Sequence, residues 1–331
     1  MLRRDYLNTL KTKLKHIVDT LKKDDVKSKL FKLRSLIGLV LICLVLALLT
    51  PRFLTISNLF NVLRQTSLNA IMGVGLTFVI LTGGIDLSVG SVLAFSGVSA
   101  ATVAQLGLPA PIAIFIGLIA GSALGFFNGL IITKGKVPPF IATLAMMTIA
   151  RGGALVISDG RPISGLGEGF HFIGRGMIGI IPVPVIITIV VFLLAYYVLT
   201  QTRTGRYIYA TGSNEHAAKL TGINTDKVKL FAYSLSGFTA ALSAMIEISR
   251  LGSAPPTAGD GAELDAIAAV VIGGTSLAGG MGGVLGTFIG AMIIGVLNNG
   301  LNLLNVSSYY QLVVRGSVIL IAVLLDRKKA D

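Results

Sequence analysis

Long apolar runs separated by short polar or basic breaks occupy almost the whole chain after residue 34. About 20 apolar residues in a helix cross a hydrocarbon core of ~30 Å. On that measure the pattern predicts helices at 35–53, 62–82, 86–106, 110–132, 139–158, 183–200, 228–250, 263–277, 282–304 and 308–326. The third and eighth are diluted by Ser, Thr and Gly. The expected fold is an all-α polytopic membrane protein with about ten transmembrane helices.

The basic residues orient these spans. Lys and Arg number 11 in residues 1–34, 2 in 133–137, 5 in 201–229 and 3 at the C-terminus, which is 21 of the 28 in the chain. Positive charge gathers on the cytoplasmic side, so both termini and the 201–229 loop are expected there, with 159–181 and 252–262 outside. The expected division is a basic cytoplasmic segment at 1–34, a transmembrane domain at 35–328 and a short tail at 329–331. Leu7, Leu10, Leu14, Ile17, Val18 and Leu21 recur at helical spacing between lysines. They suggest an amphipathic helix on the anionic inner leaflet. Some 34 polar and basic residues precede the first apolar run, so that run reads as a retained span rather than a cleaved leader.

Ten helices divide into five and five, and an odd number per half inverts one half relative to the other. Two junctions support such a repeat. Gly84-Ile85-Asp86-Leu87-Ser88-Val89 and Ala262-Glu263-Leu264-Asp265-Ala266-Ile267 each put a carboxylate at the start of a dilute, Gly-rich helix. An ionised Asp at the centre of a span costs ~2.5–3.5 kcal/mol on insertion scales. Asp86 therefore reads as a buried N-cap of the third helix or as a group facing a wet pathway.

Composition narrows the class. Mean hydropathy is +0.82, and 13% of residues are charged against about 25% in soluble domains. The 40 glycines show no collagen-like period and suit close helix approach. The net charge of +13 is mostly a topology signal, since no folded nucleic-acid module accompanies it. The single cysteine, Cys43, excludes a disulfide within one chain, and His16, His171 and His216 are too scattered for a metal site.

Polar residues inside the spans are candidates for lining a pathway or bridging helices: Asn69, Asp86, Ser88, Asn128, Thr143, Asp265, Asn298, Asn299 and Asn302. Asn298 and Asn302 share one helix face. Arg151 and Arg315, within spans, are expected to be paired or snorkelling. In the 201–229 loop, Ser213 or Asn214 can cap a short helix that Gly222 closes, with Ala217, Ala218 and Leu220 giving it a partly apolar surface.

Glu215-His216-Ala217-Ala218-Lys219-Leu220-Thr221-Gly222 resembles the coupling helix of membrane subunits in bacterial ABC importers. Gly83-Gly84-Ile85-Asp86-Leu87-Ser88-Val89-Gly90-Ser91 and the run from Glu263 to Gly280 resemble signatures of the branched-chain amino acid/simple-sugar permease family. The stretches 297–304 and 306–311 are similar to its ribose-carrying members, and the resemblance covers about 34–328. It implies a homodimeric, multi-pass permease of the bacterial inner membrane, not itself an enzyme, working with a cytoplasmic ATPase and a periplasmic sugar-binding protein. It also implies ribose or a related simple sugar as cargo, and coupling through Asn214, Glu215, Ala217, Ala218, Leu220 and Gly222. No phosphate-loop motif occurs, so ATP and Mg are expected on the partner and no cofactor on this chain. A cation-coupled secondary sugar transporter is the alternative class. Within the family, permeases for another pentose, a hexose or a furanose signalling molecule compete.

Overall fold

The computed structural model describes residues 35–327. The predicted surface helix and the boundaries of the 1–34 and 329–331 segments lie outside the described residues. Helices α1 (Ser35–Leu49), α2 (Ile56–Leu81), α3 (Val89–Gln105), α4 (Ala110–Thr133) and α5 (Pro139–Ser158) form the first half. After α6 (Glu168–Arg175) come α7 (Val183–Gln201), α8 (Arg203–Ser213), α9 (Glu215–Leu220), α10 (Thr225–Leu251), α11 (Ala262–Ile272), α12 (Val284–Leu303) and α13 (Ser308–Arg327). The protein is a helical, polytopic membrane protein. Of the described helices, α4, α5, α7, α10 and α12 are both long and apolar enough to cross a bilayer.

Local chemistry places many of the helix boundaries. Proline stands in the first turn of α4, α5 and α7, where the missing N–H costs nothing. Thr55 caps α2 by accepting from Asn58 N, and Gly252 closes α10 with φ +75°. Outer faces of α1, α4, α5 and α7 expose Leu48, Phe115, Val156 and Leu193. Polar Thr77, Ser91, Ser236 and Ser243 lie inside. That arrangement suits a lipid solvent.

Each predicted span meets a helix, but several boundaries are corrected: the first helix ends at Leu49 rather than 53, and the second begins at Ile56 rather than 62. The third helix begins at Val89, not at 86, and its N-cap is Ser88. The eighth is α11, only 11 residues and so about 16 Å long. It does not cross ~30 Å of hydrocarbon alone. Glycine is the reason: Gly274, Gly279, Gly280 and Gly282 all have positive φ, and the chain turns back before α12. Its backbone groups are satisfied within the protein, as buried irregular chain requires. Gly280 N donates to Leu81 O at 3.0 Å and Ser276 N to Met281 O at 2.9 Å.

The centre is the crossing of α2 and α10, of 26 and 27 residues. α10 packs on α4 through Gly117, Gly121, Gly125 and Gly129; a Cβ at Gly121 would lie 2.6 Å from Ala241 Cβ. α2 packs on α12 in the same way, with Gly73 against Thr287 and Gly295 against Thr66. α3 lies against α4, α5 and α10, and α11 against α12, α13 and α2. Exchanging α2–α5 with α10–α13 therefore maps these neighbours onto one another. Two short antiparallel ribbons complete the fold: β1 (Ile163–Ser164) with β4 (Ser253–Ala254), and β2 (Met177–Ile178) with β3 (Ile181–Pro182).

Candidate functional site

The residues singled out in the sequence fall into three places. Asn69, Asp265, Asn298, Asn299 and Asn302 surround a polar cavity between α2, α10, α12 and α13. Its larger chamber, about 680 Å³, is lined by Asn58, Asn61, Arg64, Gln65, Arg175, Arg250, Asn299 and Asn302 among others. A smaller chamber of about 190 Å³ shares Gln65, Arg250 and Asn302 with it and adds Asn69, Asp265, Asn298 and Arg315. The wall is held by amide contacts. Asn58 and Asn299 are buried and bond each other in both directions. Gln311 donates to Asn302 Oδ1 at 2.9 Å.

Asp265, in the first turn of α11, accepts from Asn298 Nδ2 at 3.3 Å. It also pairs with Arg315 Nη1 at 3.5 Å. Arg315 Nε donates to Asn298 Oδ1 at 3.2 Å. Arg151 is paired as well: Nη2 lies 2.7 Å from Asp260 Oδ1, and Nη1 donates to Pro256 O and Ala258 O. Both intramembrane arginines are thus satisfied by partners.

Asp86, Ser88 and Asn128 sit elsewhere, closed off in the protein interior. Asp86 Oδ1 accepts from Ser88 N at 3.0 Å and from Ser88 Oγ at 2.6 Å. Oδ2 accepts from Ser236 Oγ at 2.8 Å. Asn128 Nδ2 donates to Ser88 Oγ at 2.9 Å. Asp86 therefore caps the turn ahead of α3 rather than the helix itself, and it ties α3 to α4 and α10. Thr143 is buried and donates to Pro139 O one turn back.

The third place is the loop between α7 and α10. Asn214 caps α9 by accepting from Ala217 N at 2.9 Å. Gly222 follows with φ +84°. Ala218 is buried, whereas Ala217 and Leu220 face out, Leu220 at 77% exposure. Glu215 fastens the helix: its carboxylate lies 2.6 Å from Lys229 Nζ on α10 and 3.0 Å from Lys219 Nζ, and accepts from Thr225 Oγ1. Burial raises its pKa, but the hydrogen bonds and charges of Lys229 and Lys219 outweigh that and bring it down to about 2. A groove of about 510 Å³ runs between this unit and the α4–α5 turn, lined by Lys136, Pro138, Glu215, Lys219, Asp226 and Lys229.

Several cavity residues escaped the sequence reading. Asn58, Asn61 and Gln65 continue Asn69 at three- and four-residue spacing on α2, a polar stripe that was legible. Arg64, Arg175 and Arg250 come from different helices, and only tertiary structure assembles them. Glu247, a half-buried carboxylate inside α10, was also passed over. Among the described residues no group of three His, Cys, Asp or Glu converges to hold a metal.

Comparison with known proteins places these features in a family. The family model described as branched-chain amino acid transport system / permease component matches residues 58–323. The ribose import permease protein RbsC of Escherichia coli K12 is 54% identical over 92% of this chain and 96% of its own length. The ribose import permease protein of Bacillus subtilis is 54% identical over 90% and 94%. The D-allose transport system permease protein AlsC of Escherichia coli K12 is 43% identical over 87% and 89%. No solved structure gives a significant match. With 266 of its residues under one family model and relatives matched almost end to end, the chain belongs to the permease components of the branched-chain amino acid transport system family.

Proposed function

We propose that this chain is the membrane-spanning permease subunit of an ATP-driven importer that carries ribose from periplasm to cytoplasm. The observation that carries the reading is the amide-lined cavity between α2 and α12, in a chain 54% identical to ribose import permeases. Ribose is neutral and rich in hydroxyls, and asparagine and glutamine side chains both donate to and accept from hydroxyls. Asn69, Asn298, Asn299 and Asn302, with Asp265, form the outer pathway. Asp86, Ser88 and Asn128 form the packed joint about which the helices move.

The finer architecture follows the same reading. Ten membrane helices in two inverted sets of five, both termini cytoplasmic, agree with the exchange of packing partners between α2–α5 and α10–α13. The subunit works as a homodimer in the bacterial inner membrane, with a periplasmic sugar-binding protein outside and an ATPase inside that holds ATP and Mg. Residues 214–222 meet the ATPase: Glu215 and Gly222 set the pose of α9, and Ala217 and Leu220 offer the contact. Ala218 anchors the helix from beneath.

Reconstitution tests this. Proteoliposomes holding the permease, its ATPase and its binding protein should accumulate radiolabelled ribose on ATP addition, with or without an uncoupler. Accumulation by the permease alone under a proton gradient would overturn the reading in favour of a secondary transporter.

A further inference from the structure

Arg64, Arg175 and Arg250 all line the larger chamber, and among the described residues no Asp or Glu lines it. Arg64 Nε is buried without a hydrogen-bond partner. Arg175 Nε donates to the backbone oxygen of Arg250 at 2.9 Å, which fixes its fork against the end of α10. The Arg250 guanidinium makes no hydrogen bond or ion pair among the described residues. Glu247, one turn earlier, lies only within electrostatic reach of it. The carboxylate of the adjoining chamber, Asp265, is already engaged by Arg315 and Asn298.

A neutral sugar needs none of this charge. Hydroxyls can be served by Asn61, Gln65 and Asn302, whereas like charges around a cavity repel one another and attract a counter-ion. The guanidinium fork matches the paired oxygens of phosphate and carboxylate. We propose that Arg64, Arg175 and Arg250 form an oxyanion site in the larger chamber that takes a small phosphate-class anion from solution. The site stands on charge and geometry alone, and is independent of which sugar is carried.

Equilibrium dialysis of the purified permease in nanodiscs against radiolabelled inorganic phosphate, with chloride holding ionic strength constant and no sugar or ATP present, tests the site. Saturable binding is expected to the wild-type chain and to Arg161→Gln, which removes an exposed arginine away from the cavity. Arg64→Gln and Arg250→Gln should bind at least about tenfold more weakly, and Arg175→Lys should weaken binding by losing the fork while keeping the charge. Thermal unfolding without phosphate identifies variants that fail to fold, so that only folded ones are compared. Absence of saturable binding to the wild type, as when the arginines serve only acidic side chains of a partner protein, would overturn the proposal. Equal binding by wild type and the folded Arg64→Gln and Arg250→Gln variants would do the same. Neither result touches ribose import, which is read in a separate assay.

Discussion

Asn58 on α2 and Asn299 on α12 exchange a reciprocal pair of amide hydrogen bonds, Nδ2 to Oδ1 at 3.0 and 2.9 Å, in a buried contact 241 residues apart in sequence. This pair joins the two helices that flank the polar cavity. Removing the Asn58 amide leaves that of Asn299 buried without a partner, at about 1–3 kcal/mol, whereas removing that of Asn299 leaves Asn58 only its Nδ2 bond to Phe53 O. Asn58→Ala and Asn299→Ala should each lower the thermal unfolding temperature of the detergent-solubilised protein. The double variant should cost clearly less than the two added together. Strict additivity would mean that the pair is not an energetic unit.

Gly222 acts through backbone conformation alone. Its φ is +84°, and a Cβ there would meet nothing within 4 Å. Gly222→Ala should therefore cost about 1–2 kcal/mol of local order at the end of α9, and Gly222→Val more. Both variants should insert normally, yet ribose-dependent ATP hydrolysis in the reconstituted complex should fall, further for Val. Wild-type hydrolysis by Gly222→Val would remove α9 from the coupling path.

Glu215 gives a pH signature. Its folded pKa of about 2 lies below its ordinary value of 4.5, so the unfolded or undocked state binds the proton more readily. The contribution is then fully present above the ordinary value and is lost as pH falls through about 2. Exposed ion pairs are weak, but Lys229 is mostly covered. Amide exchange of 214–222 should thus accelerate between pH 4.5 and 2 in the wild type and lose that pH step in Glu215→Gln, once intrinsic exchange rates are divided out. An identical step in both proteins would assign the pH effect to another group.

These sites were not equally legible in the sequence. α9 was, because its cap, its closing glycine and its apolar face lie within nine consecutive residues, and local chemistry decides them. The course of α11 was only half legible. Apolar content suggested a full span, while the run from Gly273 to Gly283 ends the helix early through backbone freedom and close contact with α12. The cavity was seen from the α12 side, where asparagines cluster, and from α2 only at Asn69, since Asn58 and Asn61 precede the predicted start of that span at 62. The grouping of the cavity's arginines could not be read, although each falls outside the spans or at their outer edge. Arg64, Arg175 and Arg250 stand more than 70 residues apart and meet only through helix packing.

Asp86 separates a structural carboxylate from a proton carrier. Three donors, Ser88 N–H, Ser88 O–H and Ser236 O–H, point at it. Asp86→Asn keeps the oxygen that accepts from Ser88, and the Ser236 hydroxyl can rotate to accept from the new amide. Asp86→Leu leaves all three donors buried without an acceptor, at about 1–3 kcal/mol each, and loosens the joint between α3, α4 and α10. Asn should retain appreciable ATP-driven uptake, while Leu should insert poorly or transport little. If the carboxyl carried a proton in the transport cycle, Asn would be as inactive as Leu and wild-type uptake would follow the proton gradient. Uptake by both variants, with and without an uncoupler, therefore decides between a hydrogen-bonded joint and a coupling site.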